Sequence, residues 1–299
     1  MNIATAASLS RRIEKYRTSR RPFMCVRGQL FTVAGGIIEA FSPAAVATEL
    51  DPQDGRQLIK GLGGFLVRYT DGFHADNGPR AWYSVISRKV VDLGTLPKSK
   101  RYQVNRSLKH FDVRQLSAQE LAQVGYRTLV NACERYKRTK LTLPTEAEFK
   151  NNVAREADFP DLVHNWGVYL KDSNTLAGYA QNQVFDHIEA NYSTIKLDPG
   201  HFQNGPGYAL VYRMNEFYLG QGGFEYVNDG FKAIYHATQF QNTLLNALGF
   251  EKAYTKLNVY YPPLLGRLVR WCYPLRSVLG RMDRRLAALL EQERCVRLA

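Results

Sequence analysis

The stretch that decides the fold runs from residue 190 to residue 261 and reads ANYSTIKLDPGHFQNGPGYALVYRMNEFYLGQGGFEYVNDGFKAIYHATQFQNTLLNALGFEKAYTKLNVYY. β-Branched and aromatic residues at 190–198 predict a strand, and a series of glycines and prolines then interrupts it. Apolar residues at helical spacing predict a helix over 208–219. A strand at 224–227, a helix at 236–248 and a strand at 252–261 follow. A glycine turn between a strand and a helix N-terminus is a favourable position for binding phosphate groups.

The preceding segment extends this pattern of strands and helices. Ser117 with Glu120, and Thr145 with Glu148, form the spacing of capping boxes, which predicts two helices. Alternating residues predict strands over 111–116, 162–170 and 175–185, the last two joined by a polar turn. The predicted order from 111 to 261 is therefore β-α-α-β-β-β-α-β-α-β.

The rest of the chain divides into three further segments. A polar, basic N-terminal arm covers 1–22, and a β-rich N-terminal subdomain of short strand-like runs covers 23–110. The regular α/β domain covers 111–262. A basic, leucine-rich tail, mainly helical and interrupted near Pro274, covers 263–299.

Composition excludes several classes of protein. The chain has 299 residues with 45% hydrophobic content, which is enough to form a core. Its four cysteines are far apart, and neither they nor the six histidines form a metal-binding spacing, so no metal is expected. No apolar run reaches the length of a membrane span, and the N-terminus lacks the pattern of a secretory signal. We therefore expect a cytoplasmic protein.

The formal net charge of +13 is concentrated in three places. Residues 1–21, 98–109 and 262–299 each carry a net charge of +5, so the remainder is nearly neutral. Basic segments of this kind indicate anionic partners, although each could also be an ordinary solvated surface.

The element order over 111–261 resembles that of the GNAT superfamily of N-acyltransferases. Two local features carry the resemblance: Leu248-Gly249-Phe250 is similar to the end of the family's fourth helix, and Gly205-Pro206-Gly207 is similar to its pyrophosphate loop. The resemblance implies an α/β (α+β) fold with a mixed, mostly antiparallel central sheet flanked by helices. The β-rich N-terminal extension and the helical C-terminal tail would be additions to this fold.

The chain looks most like the GNAT-like domain of Fem-type transferases, which attach amino acids to peptidoglycan precursors. The basic segment 96–109 is similar to the segment that precedes the domain in that group, and 64–93 is similar to its strand-rich lead-in. This resemblance implies transfer of an acyl group from an acyl-thioester to an amine acceptor, with acyl-CoA (acetyl-CoA or longer) as co-substrate. The alternative donor is aminoacyl-tRNA.

The resemblance also implies which residues bind the donor. The strand before the glycine turn would offer a backbone N–H group to the donor carbonyl, and the turn would bind the diphosphate through its amides. The expected donor-binding residues are Ile195, Lys196, Leu197, Gln203, Asn204, Gly205, Gly207 and Tyr208.

Candidate catalytic residues are Asp229, His236 and Glu225. Asp229 follows the fifth strand of the domain and would be a general base if it were desolvated; it would otherwise be a turn residue. His236 opens the next helix and titrates near neutral pH, or serves only in packing. Glu225 faces either the cleft or solvent.

Three further hypotheses remain open. The family's usual tyrosine acid falls on Leu245, which cannot donate a proton, so the domain could instead be a non-catalytic binding module. His164, Asn165 and Trp166 could line a pocket for the acceptor, a small-molecule or lipid-linked amine. The basic tail, which contains Trp271, either lies on an anionic membrane surface, making the protein peripheral at the inner face, or packs on the domain.

Overall fold

A computed structural model describes residues 3–73, 81–134, 143–234 and 239–298, with side chains from residue 8 onward. The chain forms two compact units. The first contains Met1–Val85, Phe231–Asn242 and Lys252–Ala299, and the second contains Ile86–Gly230 and Thr243–Glu251. The four-segment division expected from the sequence remains a prediction.

The first unit is built around a five-stranded sheet with the order β1-β2-β3-β4-β12. These strands are β1 (Phe23–Val26), β2 (Gln29–Ala34), β3 (Ile37–Ala40), β4 (Leu66–Thr70) and β12 (Leu257–Tyr260). The helices of this unit are α1 (Ile3–Thr18), α2 (Pro52–Leu62), α8 (Pro263–Cys272), α9 (Arg276–Met282) and α10 (Arg284–Arg297). Buried side chains from the sheet and α2, among them Phe31, Ile38 and Leu58, form its core.

Helix α2 was not expected in a region predicted as strands and turns. Asp51 caps it by accepting hydrogen bonds from the Gln53 and Asp54 amides, and Asp54 completes a capping box. The signal was present in the sequence as Asp51-Pro52 followed by Asp54, with proline in the first turn. The basic N-terminal arm also contains a helix, α1.

The second unit contains the predicted α/β arrangement. Its elements are α3 (Lys98–His110), β6 (Phe111–Leu116), α4 (Ala118–Glu134), α5 (Glu146–Ala154), β7 (Val163–Leu170), β8 (Leu176–Phe185), β9 (Glu189–Leu197) and α6 (Pro206–Asn215). Short 3-10 turns lie at Leu93–Thr95 and Pro199–Asn204, and a π-helical turn, Glu216–Gln221, continues α6. Four elements include or adjoin a boundary between the units: β5 (Tyr83–Ser87), β10 (Tyr226–Phe231), α7 (Gln239–Ala247) and β11 (Glu251–Tyr254).

Five neighbouring strands of the sheet follow the order β10-β9-β8-β7-β6. The pairs β6–β7, β7–β8 and β8–β9 are antiparallel, and β9–β10 is parallel. The sheet is thus mixed and mostly antiparallel, and the predicted element order is confirmed. The predicted capping box of Thr145 and Glu148 is confirmed, because each side chain accepts from the other's amide. At the other predicted cap the Glu120 amide donates to Ser117 Oγ (3.0 Å), while Glu120 Oε1 accepts from Arg114.

The predicted strand over 252–261 is wrong in one respect, because it consists of two strands, β11 and β12. β12 pairs with β4 in the first unit. Between β11 and β12, Thr255 Oγ1 and the Lys256 amide both donate to Asp71 Oδ1, at 3.2 and 2.9 Å. The Lys256 amide therefore bonds a side chain that is distant in sequence, and an alternation of residue types cannot reveal such a contact.

Candidate active site

A gap between β9 and β10 is the principal feature of the second unit. The two strands pair in parallel over only three positions, from Glu189–Tyr226 to Asn191–Asn228. β9 continues to Leu197 on its other side, where it stays paired with β8. From Tyr192 to Leu197, within the described residues, β9 has no ladder with β10. Backbone groups on this edge are therefore available to something other than a neighbouring strand.

A buried carboxylate fixes the point where the strands part. Glu189, 1% exposed, accepts hydrogen bonds from Tyr226 Oη (2.7 Å), Asn228 Nδ2 (2.9 Å) and Asn191 Nδ2 (2.8 Å). Tyr226 and Asn228 lie on β10, and Asn191 lies on β9. Three donors compensate the carboxylate for its burial, and they tie the two strands together at their paired end.

Asp229 lies just beyond this anchor, on the side where the strands diverge. Its side chain is half-buried. Burial raises the pKa of the Tyr192 hydroxyl well above its ordinary value, and the neighbouring Tyr218 and Asp229 raise it further. Tyr192 is itself buried on β9 and donates to Asn215 Oδ1 at 2.7 Å. The structure therefore brings Asp229 and Tyr192 into electrostatic contact at the mouth of the gap.

Glu225 does not lie beside Asp229. Glu225 is exposed and precedes the paired end of β10, where its amide donates to the His187 carbonyl at 3.0 Å. Asp229 is four positions further along the extended chain, at a distance of roughly 13 Å. His236 lies outside the described residues.

The glycine turn leads from the end of β9 into α6. Asp198 begins the turn by accepting a hydrogen bond from the Gly200 amide (2.9 Å), and Asn131 holds its other oxygen (2.6 Å). Gly205 has φ +68° and ψ +52°, a left-handed conformation, and it directly precedes α6. A Cβ at this position would lie 2.8 Å from the Tyr208 ring, so only glycine fits without strain.

Helix α3, formed by the basic segment, packs against this turn. Ser107 Oγ donates to the Gly205 carbonyl (2.7 Å) and accepts from the Ala209 amide (3.0 Å). Arg106 Nη2 donates to Asn204 Oδ1 at 3.0 Å. Gln103 Oε1 accepts from the Tyr208 hydroxyl, also at 3.0 Å. The N-terminus of α6 is therefore capped by side chains from a distant part of the sequence.

This packing limits how many amides the turn can offer to an anion. Pro206 has no N–H group, the Tyr208 amide donates to the Gly205 carbonyl (2.9 Å), and the Ala209 amide donates to Ser107. Gly207 carries the remaining N–H group of the first turn. The helix dipole still favours negative charge here, and α3 adds exposed cationic side chains beside it, namely Lys98, Arg101, Arg106 and Lys109.

The predicted donor-binding residues fall into two adjacent groups. Ile195, Lys196 and Leu197 lie on the part of β9 that runs past the gap, each of them partly exposed. The remaining residues lie in or next to the glycine turn: Gln203, Asn204, Gly205, Gly207 and Tyr208. The turn follows β9 directly, so both groups lie along one continuous path; their role in binding remains a prediction.

A buried polar cluster under the π-helical turn was not predicted from the sequence. The Tyr218 hydroxyl accepts hydrogen bonds from Trp166 Nε1 (3.0 Å) and Asn182 Nδ2 (3.2 Å), and His164 Nδ1 lies 3.2 Å away. His164 also stacks on the Tyr218 ring, with centroids 5.7 Å apart. Burial lowers the pKa of His164, which favours the neutral ring, and Nδ1 of a neutral ring can accept a hydrogen bond from the Tyr218 hydroxyl.

Of the three residues expected to line an acceptor pocket, the structure separates one from the others. His164 and Trp166 contact Tyr218, whereas Asn165 alternates to the opposite face of β7 and accepts from Gln181 Nε2 at 3.2 Å. Sequence reasoning had no signal for Tyr218, because an aromatic residue near a helix end looks like ordinary packing. A π-helical turn at this position is a feature often found at functional sites.

The described residues contain no group of three or more His, Cys, Asp or Glu side chains placed to hold a metal ion. The helices in those same ranges also lack the combination of length and apolar character that a membrane span needs.

Comparison with known proteins shows which solved structures share the fold of this chain. No protein-family model and no curated protein matches the sequence. Among solved structures, FemX superposes with a TM-score of 0.57 at 10% identity, over 90% of this chain and 98% of FemX. The C-terminal (DUF2156) domain of a protein assigned as a lysylphosphatidylglycerol synthetase from Agrobacterium fabrum superposes with a TM-score of 0.52 at 12% identity, over 84% of this chain and 91% of that domain.

The chain has a GNAT-like fold related to that of Fem-type transferases. Within this GNAT-like fold, the chain passes along the part of β9 that is not paired with β10 and then directly into the glycine turn before α6. The expected fold class is thereby confirmed, including the helical C-terminal tail.

Proposed function

We propose that this protein is a transferase that moves an acyl group to an amine in the gap between β9 and β10. The observation that carries the proposal is the three-residue pairing of these strands, after which β9 has no ladder with β10 within the described residues and leads into the glycine turn. A free strand edge beside a helix N-terminus can bind a carbonyl oxygen and an anionic carrier at the same time.

The chemistry requires three contributions from the chain. A backbone N–H group of the segment 195–197 would stabilise the oxyanion as the amine nitrogen attacks the donor carbonyl. Asp229 would accept the proton that the amine loses. The bond from the carbonyl carbon to the carrier then breaks, and the carrier's leaving atom takes up a proton. Leu245 cannot supply that proton, so the donor's own groups or solvent would do so.

An aminoacyl ester of tRNA is the donor that the site favours. At the α6 N-terminus, the Tyr208 and Ala209 amides are already hydrogen-bonded within the protein, which leaves little for a diphosphate to bind. The cationic helix α3 beside the turn suits a longer phosphate backbone. FemX and the lysylphosphatidylglycerol synthetase domain also share the fold over 98% and 91% of their lengths, and the second protein is named for a lipid that carries lysine.

Acyl-CoA is the second candidate donor. The Gly205-Pro206-Gly207 turn follows directly on the strand that borders the gap, and Gly207 retains its N–H group on the dipole axis of α6. For either donor, the acceptor class is a small-molecule or lipid-linked amine.

A binding experiment on the whole protein distinguishes between tRNA and acyl-CoA as the carrier of the donor. We expect unfractionated tRNA to bind in a filter assay with strong salt dependence, and Arg101→Gln/Arg106→Gln to weaken binding and reduce the salt slope by about two. The matched control is Arg56→Gln/Lys60→Gln, which removes two exposed charges from α2 in the first unit. Thermal stabilisation by acetyl-CoA or a longer acyl-CoA, without binding to tRNA, would establish the second candidate instead.

A transfer assay then tests the reaction itself. Aminoacyl-tRNA carrying labelled amino acids, or labelled acyl-CoA, is incubated with small amines and with amine-bearing lipids. Label should appear in an amide product only with the intact protein. Absence of binding to every donor, together with absence of transfer, would overturn the proposal and leave a non-catalytic GNAT-like module.

A further inference from the structure

An unusual apolar surface lies on the C-terminal tail, which takes no part in the proposed reaction. Six large apolar side chains of α8, α9 and the turn between them are between 55% and 77% exposed, and they are Leu264, Leu268, Trp271, Leu275, Val278 and Met282. Their spacing alternates between four and three residues, which places them along one side of the helical path. We refer to these six residues as the tail stripe.

The tail stripe is not the packing face of these helices. Helix α8 buries Gly266 and Val269 instead, and α10 packs against both α8 and α9. A contiguous row of exposed apolar residues of this size normally marks a surface that contacts a partner or a lipid phase.

The charges that flank the tail stripe are of one sign. Residues 262–282 contain Arg267, Arg270, Arg276 and Arg281 and no acidic residue. All four arginines are exposed. The first acidic residue after them, Asp283, caps α10 by accepting hydrogen bonds from the Arg285 and Leu286 amides, and Arg284 and Arg285 add two further positive charges there. An apolar face with tryptophan, bordered by arginine, complements a surface that is both hydrophobic and negatively charged.

We infer that the tail stripe docks the protein on an anionic lipid bilayer. α8 and α9 lie in the plane of the interface, with the stripe inserted among the acyl chains and the arginines at the level of the phosphates. A second copy of the chain is a poorer occupant, because apposition of two stripes would bring two sets of exposed arginines together. The inference does not depend on the proposed function, but it would place the enzyme beside a lipid-linked acceptor.

Trp271 gives the test a built-in reporter. The chain has three tryptophans; Trp82 and Trp166 are 1% and 5% exposed, whereas Trp271 is 75% exposed. With vesicles of equal parts phosphatidylcholine and phosphatidylglycerol, we expect a blue shift of the fluorescence and quenching by brominated acyl chains. Vesicles of phosphatidylcholine alone should give a much smaller response. Trp271→Phe should abolish the optical signal while co-sedimentation with anionic vesicles persists.

Variants separate the apolar and electrostatic contributions. Arg267→Gln/Arg270→Gln should weaken binding to anionic vesicles by about 25-fold, at about fivefold per arginine. The Arg56→Gln/Lys60→Gln variant on α2 should bind like wild type. Leu268→Glu/Val278→Glu should abolish binding, whereas Val124→Glu, at an exposed apolar position on α4, should not.

Three outcomes would overturn the inference. The first is that the protein does not bind anionic vesicles. The second is that the stripe and control variants lose binding equally. The third is that the protein forms a dimer in solution, which Leu268→Glu/Val278→Glu dissociates, and does not bind vesicles. Failure of vesicle binding would leave transfer to small soluble amines unaffected, so this result and a failure of the proposed function are distinguishable.

Discussion

Ser107 of α3 caps α6 across about a hundred residues of sequence, by accepting the Ala209 amide at 3.0 Å while it donates to the Gly205 carbonyl at 2.7 Å. One hydroxyl thus satisfies a buried donor and a buried acceptor at the helix N-terminus. The consequence is that the basic helix and the glycine turn form one structural unit.

Ser107→Ala should lower the free energy of unfolding by about 1–2 kcal/mol, because the Ala209 amide loses its cap partner in a buried position. Urea denaturation monitored by circular dichroism measures the change. Ser99→Ala, at an exposed position of the same helix, is the matched control and should change stability by less than about 0.5 kcal/mol. Equal effects of the two variants would contradict the capping role.

Gly205→Ala should be destabilising by about 1–3 kcal/mol. Alanine is strained at φ +68°, and its Cβ would lie 2.8 Å from the Tyr208 ring. Gly220→Ala is the control, since a Cβ there meets nothing within 4 Å and the backbone is not left-handed. Thermal melts of both variants would show whether the turn requires glycine.

Glu189→Gln should lower the free energy of unfolding by about 2 kcal/mol. An amide NH2 group would replace one of the two carboxylate oxygens, both of which accept hydrogen bonds from Tyr226, Asn191 or Asn228. The NH2 group would then face a hydrogen-bond donor that it cannot satisfy. The control is Glu225→Gln, which changes an exposed carboxylate directly before β10. If the two variants have the same free energy of unfolding, the buried carboxylate does not anchor the strands.

Asp229→Asn should reduce the rate of acyl transfer by about 10²-fold or more while leaving the melting temperature close to wild type, if its carboxylate is the general base. Glu225→Gln should leave the rate nearly unchanged, because Glu225 lies at the paired end of the strands. The measurement is single-turnover transfer with the donor identified by binding. A larger effect at Glu225 than at Asp229 would reverse the assignment.

His164 should make stability depend on pH between its ordinary pKa of about 6.5 and the lower pKa that burial gives it in the folded protein. In this window the unfolded chain binds more protons, so stability is complete above about pH 6.5 and falls as the pH decreases. His164→Gln should flatten the curve of unfolding free energy against pH, whereas the exposed His110→Gln should not. Equal curves for all three proteins would exclude His164 as the cause.

Local signals in the sequence predicted most of the elements correctly. The helix caps at Ser117 and Thr145 act over three residues, so a short stretch of sequence contains the whole interaction. The same holds for the left-handed turn at Gly205. The prediction of one strand over 252–261 was wrong because the strand is interrupted at Thr255 and Lys256. Both residues donate to Asp71, which lies far away in the sequence.

From β6 to α7, the sequence by itself determined the order of strands and helices and the position of the glycine turn, because hydrophobic periodicity and turn chemistry are local properties. Only the tertiary structure decided that β9 and β10 part after three pairs, that Ser107 caps α6, and that Tyr218 gathers Trp166, Asn182 and His164 around its hydroxyl. Each of these depends on contacts between residues distant in sequence, whose partners are chosen by packing rather than by local preference.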